Sequence, residues 1–382
     1  MDQKLESKLQ EFSEARRNGF LKVKEFKDRG ENIVGIFCTY TPKELVYAAG
    51  AYPVSLCSIS EETIPASEKH LPKNLCPLIK ASYGFALTDK CPYMYFSDLV
   101  IGETTCDGKK KMYEYLGEIK DVHVMQLPHN RENKFAQKMW EEEIRVLKNK
   151  LEEKFNSEIT EEKLKEAIKL CNEEREVLKE FYSLGKMVPP VISGYEMQKV
   201  LQGVNYTFDK KEQNENVRRL IENYKKKYEN KEYVASENAP RILITGCPLG
   251  GVVDKIIKPI EEAGAIVVAY ENCSGAKNLE ELVDETIDPI EALGKKYLNI
   301  PCSIMSPNTG RNEMIERLVD EYKVDGVIEI VLQSCHTYAV ETHSVRRFLN
   351  ERAIPFMSLE TDYSQSDNGQ VKTRLEAFIE ML

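Results

Sequence analysis

The residues of this sequence best placed to do chemistry are its ten cysteines, at positions 38, 57, 76, 91, 106, 171, 247, 273, 302 and 335. No two lie within four residues of each other, so there is no C-x-x-C. That excludes zinc ribbons, thioredoxin-like sites and ferredoxin-type cluster runs as local motifs. The opening residues MDQKLESKLQ carry no apolar signal region, so the expected location is cytoplasmic and the expected state is free thiols. A single free cysteine is an ordinary small core residue. If these thiols bind a metal, the fold must gather them from far apart. Zinc would want four close Cys or His ligands, and the chain has only five His, so the set points to iron–sulfur chemistry. A nucleophilic cysteine would need a histidine base. Cys335 and His336 are adjacent, but neighbours on a strand face opposite ways.

The elements that must position these thiols alternate between strand and helix. Residues 1–30 read as a charged helix with Gly30 as its stop. Apolar runs Ile33–Phe37, Tyr52–Leu56, Asp98–Glu103 and Val122–Leu127 predict four strands, with helices over Lys43–Ala49 and Lys109–Leu116 between them. Residues 129–184 contain no Gly or Pro and read as helical, as does a stretch near 193–230. Within the first, Thr160 starts a helix whose buried face includes Cys171, so Cys171 is expected to pack rather than ligate. From residue 240 the alternation resumes: strands Arg241–Thr245, Ile266–Tyr270, Val327–Leu332 and Ile354–Leu359, and helices to Ala263, over 280–298, near 309–323 and at the C-terminus. Such alternation predicts an α/β fold with parallel sheets. The expected organisation is a helical segment 1–30, a first α/β domain 31–128, a helical connector or lid 129–238 and a second α/β domain 239–382. Length agrees, since 382 residues divide into two or three units at ~150 per domain.

Cys38, Cys57, Cys106, Cys247, Cys273 and Cys335 each fall at, or a few residues past, the C-terminal end of a predicted strand. Ligands of open parallel sheets bind at that edge. Core cysteines would be scattered through strands and helix faces. The pattern predicts a cleft between two similar domains with thiols pointing in from both. Cys106-Asp107-Gly108 opens a helix, whose first-turn N–H groups favour a thiolate or an anionic cluster. Cys247 in Gly-Cys-Pro-Leu-Gly-Gly and Cys273 before Ser274-Gly275-Ala276 sit among small residues that let N–H groups approach sulfur. Gly246 to Gly251 does not fit a dinucleotide fingerprint, and no P-loop occurs. A net charge of −10 argues against nucleic acid, and no run is apolar enough to span a membrane.

The residues also carry a resemblance. Leu75-Cys76-Pro77-Leu78-Ile79-Lys80-Ala81-Ser82-Tyr83-Gly84, Asp89-Lys90-Cys91-Pro92-Tyr93 and Gly102-Glu103-Thr104-Thr105-Cys106-Asp107-Gly108-Lys109 resemble the 2-hydroxyacyl-CoA dehydratase and benzoyl-CoA reductase superfamily. ITGCP at 244–248, YENCSGAK at 270–277 and LQSCHTYAVE at 332–341 agree. The cysteine set as a whole resembles the branch of double-cubane-cluster anaerobic reductases. The resemblance implies two flavodoxin-like domains with an iron–sulfur cluster in the cleft between them. It implies one [4Fe–4S] cluster on Cys76, Cys106 and Cys335. For the narrower branch it implies a second cubane, joined through a bridging sulfide, with Cys38, Cys247 and Cys273 as the expected ligands and Cys91 and Cys302 as alternates; Cys57 is expected to pack. It further implies a homodimer fed by a separate ATP-hydrolysing iron–sulfur activator and acting on a small-molecule substrate. His336 is the expected proton donor, with a structural hydrogen bond as its other role. The Lys109–Lys111 run is expected either to help dock the activator or to be a solvated first helical turn. Two other functions remain open: a dehydratase subunit with one [4Fe–4S] cluster, and a cluster-assembly or electron-carrier protein with no substrate.

Overall fold

A computed structural model describes residues 3–382. Strands β1 (Asn32–Ile36), β2 (Ala51–Ser55), β3 (Leu99–Glu103) and β4 (Val122–Met125) form one sheet in the order β2-β1-β3-β4. Strands β5 (Arg241–Gly246), β6 (Ile266–Tyr270), β7 (Gly326–Leu332) and β8 (Phe356–Thr361) form a second in the order β6-β5-β7-β8. Every pairing is parallel. Parallel sheets are covered by helices on both faces, which is why these strands are near-continuous apolar runs. β3, β5, β6 and β7 are buried at every residue. This is the α/β architecture of two flavodoxin-like domains. The two strand orders are the same, so each sheet has one switch point: between β1 and β3 in the first, between β5 and β7 in the second.

The helical middle of the chain is built into the cores. Helix Ala136–Phe155 buries Trp140, Ile144, Leu147 and Leu151 in one core with Val34, Leu99 and Ile101 of the first sheet. Leu293 and Tyr297, on helix Pro289–Leu298, belong to that same core although they come from the second half of the sequence. Helix Glu161–Tyr182 starts at Thr160, whose side chain accepts from Lys163 N. Helices Gly194–Gly203 and Lys210–Glu229 follow, capped by Ser193 and Asp209. Among the described residues no helix is long and apolar enough to cross a membrane.

The sequence misplaces two elements. The helix expected over 280–298 begins only at Pro289. Asp288 caps it, its side chain accepting from Glu291 N, and Pro289 takes the first helical position, where a missing N–H costs nothing. Residues 280–288 are a loop after the four-residue helix Ala276–Leu279. β8 lies two residues later than expected: Pro355 accepts from Val327 N and the ladder runs on to Thr361.

Candidate functional site

The two sheets turn their C-terminal edges toward one cavity of about 1490 Å³. Eight of the ten cysteines line it, four from each domain and in matching places. Cys38 follows β1 and Cys247 follows β5. Cys57 follows β2 and Cys273 follows β6. Cys76 and Cys302 lie in the crossovers that lead to the third strand of each sheet. Cys106 and Cys335 follow those third strands and stand just before helices Asp107–Leu116 and His336–Asn350. Cys38, Cys106, Cys247 and Cys335 therefore occupy the four strand ends that flank the two switch points, where such sheets take ligands.

Cys91 and Cys171 are outside the cavity. Cys91 caps the short helix Pro92–Phe96, accepting from Met94 N at 3.5 Å. Cys171 is buried on helix Glu161–Tyr182, and burial pushes its thiol up to about 12.

The eight thiols fall into two groups. Hydrogen bonds from Cys247 and Cys76 hold Cys335 well below the usual thiol range, and Cys247 and Cys76 are raised in return. Cys76, Cys247 and Cys335 thus compete for protons as one set of neighbouring thiols. Cys247 Sγ also accepts from Leu332 N at 3.4 Å. Cys106, raised by burial and then by Cys335 and Cys302, stands between this group and the next. In the second group burial and then the neighbouring Cys302 raise Cys273 to about 12. Burial and then Glu103 raise Cys38, to which Cys273 and Cys302 contribute. Cys57 donates its proton to Phe37 O at 2.9 Å, which ties it to the backbone.

Interdomain bonds explain why Cys302 joins Cys38. Tyr40, two residues past Cys38, donates to Ile300 O at 2.8 Å. His129 Nε2 meets Thr104 O at 2.6 Å, and its carbonyl accepts from Ser306 N at 2.8 Å. The Cys302 loop is thereby fastened to the first domain. On its own side Asn308 donates to Cys302 O (2.9 Å) and to Glu341 (2.6 Å). Glu341 pairs with Arg311 at 2.5 Å. Arg311 is fully buried and also meets Glu271 (3.4 Å) and Glu329 (3.2 Å), while Lys277 meets Glu271 at 2.7 Å. A buried ion cluster thus underlies the second domain's edge of the cavity. Cys302 carries no strand-end signal in the sequence, and these tertiary bonds are what bring it in.

His336 is the first residue of its helix, exposed and on the cavity lining. Cys335 is the residue before that helix rather than part of β7, so strand alternation does not govern the pair. Cys247, unlike Cys335, does not stand directly before an α-helix, because the one after it begins at Val253. Of the lysine run, Lys109 is buried and Lys110 and Lys111 are exposed. Lys109 donates to Phe37 O at 3.3 Å, Lys110 pairs with Asp107 at 3.1 Å and Lys111 with Glu114 at 2.8 Å.

Among the described residues no three His, Cys, Asp or Glu side chains converge as a group able to hold one metal ion. The thiols surround a space instead of a point. Thr39 Oγ1 and Ser303 Oγ are buried, line that space and have no partner among the described residues. Each follows a cavity cysteine directly. Unpaired buried hydroxyls are costly, and two donors beside thiols suit an anionic, sulfur-rich group. The donor set fits an iron–sulfur group.

Comparison with known proteins places the chain in a family. The family described as 2-hydroxyglutaryl-CoA dehydratase, D-component, matches residues 38–382. An Escherichia coli (strain K12) protein named "Putative dehydratase subunit YjiM" is 52% identical over 97% of both chains. The (R)-phenyllactyl-CoA dehydratase beta subunit of Clostridium sporogenes is 26% identical over 94% of both. The (R)-2-hydroxyglutaryl-CoA dehydratase subunit beta of Acidaminococcus fermentans is 24% identical over 98% of both.

Proposed function

Because the chain belongs to the 2-hydroxyglutaryl-CoA dehydratase D-component family, we propose that it is an iron–sulfur enzyme, a low-potential reductase carrying two cubanes on one subunit. The observation that carries this reading is that eight thiols line a single cavity, four from each domain. One cubane needs only three cysteine ligands in this family, and eight thiols exceed that demand. Cys76, Cys106 and Cys335 would hold the first, with Cys247 closing the wall beside Cys335. Cys38, Cys273 and Cys302 would hold the second. The mutual influence of those three thiols, and the bonds fastening the Cys302 loop beside Tyr40, favour Cys302 over Cys247 in this set. Such a group supplies electrons of very low potential.

The chain's own residues do the rest. The thiols of Cys76 and Cys247 would help Cys335 to ligate as a thiolate. The unpaired hydroxyls of Thr39 and Ser303 would be free to donate hydrogen bonds to a group in the cavity. The Arg311 cluster holds Asn308, and through it Cys302, in place. His336 stands at the mouth, placed to hand a proton to a small-molecule substrate. Electrons would come from a separate ATP-hydrolysing iron–sulfur activator, and the working form would be a homodimer.

The second reading is a dehydratase subunit with one cubane, favoured by the relatives named as dehydratase beta subunits. The test is turnover by this chain and an activator alone, without oxygen. ATP-dependent reduction of a small acceptor with no further subunit supports the reductase. Activity that appears only when a second, different subunit and a 2-hydroxyacyl-CoA are supplied would replace it with the dehydratase.

A further inference from the structure

A second cavity, of about 300 Å³, lies where the segment after β4 meets the second domain, and it shares no lining residue with the thiol cavity. Arg131 lines it from the first side and helix Thr309–Tyr322 from the other. Arg131 is half-buried and enters no ion pair among the described residues. Its guanidinium lies against Gly310, where an added Cβ would stand 2.7 Å from Nη2 and 2.8 Å from Nη1. The absence of a side chain at residue 310 is therefore what seats the guanidinium. Lys296, on helix Pro289–Leu298, lines the same cavity. It is 4% exposed, and its Nζ has no hydrogen-bond partner among the described residues. Glu44, whose charge reaches Lys296, is already taken by Arg175 at 2.6 Å and by Tyr297 at 2.8 Å. Burial first, and then Arg175, hold the Lys296 pKa well below the ordinary lysine value. The cavity's carboxylates stand toward its rim: Glu280 is paired with Arg317, and Glu281 and Glu313 are exposed. Glu281 lies in the field of both Lys296 and Arg131 without an ion pair to either.

An enclosed ammonium without an acceptor is costly, and native structures pair such groups. Here two cations without partners meet on one cavity, a planar fork of N–H donors and an ammonium with three more. That donor set takes an oxyanion through charge-assisted hydrogen bonds. We propose that this cavity is a binding site for a small metabolite bearing a compact oxyanion, a phosphate or a carboxylate, held by Arg131 and Lys296. At about 300 Å³ it stands at the small end of ligand pockets. Ile300 and Pro301 line it as well, so a ligand there would tie the segment after β4 to the loop that leads into Cys302. No thiol lines this cavity, and the proposal stands without the iron–sulfur reading.

The experiment is isothermal titration calorimetry of the anaerobically purified protein at constant ionic strength, with inorganic phosphate in one arm and malonate in the other. The expected result is saturable binding in at least one arm. Arg131→Gln and Lys296→Met should each weaken it about tenfold or more, the scale of one lost charge-assisted bond. Glu281→Gln removes the competing charge at the rim and should tighten it. Circular dichroism melting of each variant checks folding. Gly310→Ala, which displaces the guanidinium by one methyl group, should weaken binding too, and it carries the test if Arg131→Gln does not fold. Binding of phosphate alone assigns a phosphorylated ligand, binding of malonate alone a carboxylate, and binding of both the oxyanion they share. No saturable binding in either arm, or binding that every variant leaves unchanged, overturns the proposal.

Discussion

The two edges of the cavity share a plan and differ in what lies beneath it. Both domains place a cysteine after each of their first three strands and one in the crossover between the second and third. Beneath the second domain's edge, Arg311 and Lys277 are matched against Glu271, Glu329 and Glu341, all but Glu341 fully enclosed. Beneath the first, Glu103 is bonded through one oxygen to Thr41, and its other oxygen has no partner among the described residues. The thiol positions follow from topology, which the domains have in common. The charge beneath them is specific to each, stiff in the second and slack in the first.

Substitutions separate the shared part from the particular part. Cys335→Ala removes the thiol that neighbours both Cys76 and Cys247. It should abolish iron binding at that group while leaving a folded protein, because the apolar cores beneath both sheets do not include this half-buried thiol among their buried residues; iron analysis with circular dichroism checks it, and full iron would refute the assignment. Arg311→Met strips the counter-charge from enclosed carboxylates. Breaking such a cluster from one side costs about 3–5 kcal/mol, so urea unfolding of the iron-free protein should show a loss of that order. A loss under about 1 kcal/mol would mean that water or relaxation compensates the carboxylates.

The slack edge gives a pH signature. Burial raises Glu103 from 4.5 to about 7. The folded protein then binds this proton more tightly than the unfolded chain does. The stability it confers is present below about 4.5 and is lost as pH rises through about 7. Iron-free Glu103→Gln should have a flatter stability profile than wild type across that window; parallel profiles would place the titration elsewhere. The smallest effect is expected at Cys171→Ala, on neither edge. It should cost ~1 kcal/mol and leave iron content unchanged, and iron loss there would break the distinction between packing and cavity thiols.

How far these edges could be read in advance depends on what kind of signal placed each residue. Apolar runs marked all eight strands, since parallel strands covered on both faces leave little else to write there. Cys38, Cys57, Cys106, Cys247, Cys273 and Cys335 were visible at strand ends for the same reason. Cys76 came from motif resemblance, being next to helix Pro77–Leu87 and not to a strand. Cys302 stood only as an alternate, because its position depends on Tyr40, His129 and Asn308, which are distant in sequence. The Asp288-Pro289 start was a local signal, passed over within a longer apolar pattern. The division of the thiols into two groups, and the ion cluster under one of them, are tertiary facts with no periodicity to show them.

The central claim is that one cavity on one chain holds two iron–sulfur cubanes. Iron and acid-labile sulfide per chain, measured on protein purified without oxygen, test it most directly. About eight irons per chain is the result expected of two cubanes. About four would contradict the two-cubane claim and put the dehydratase first, and none after reconstitution would remove the iron–sulfur reading altogether.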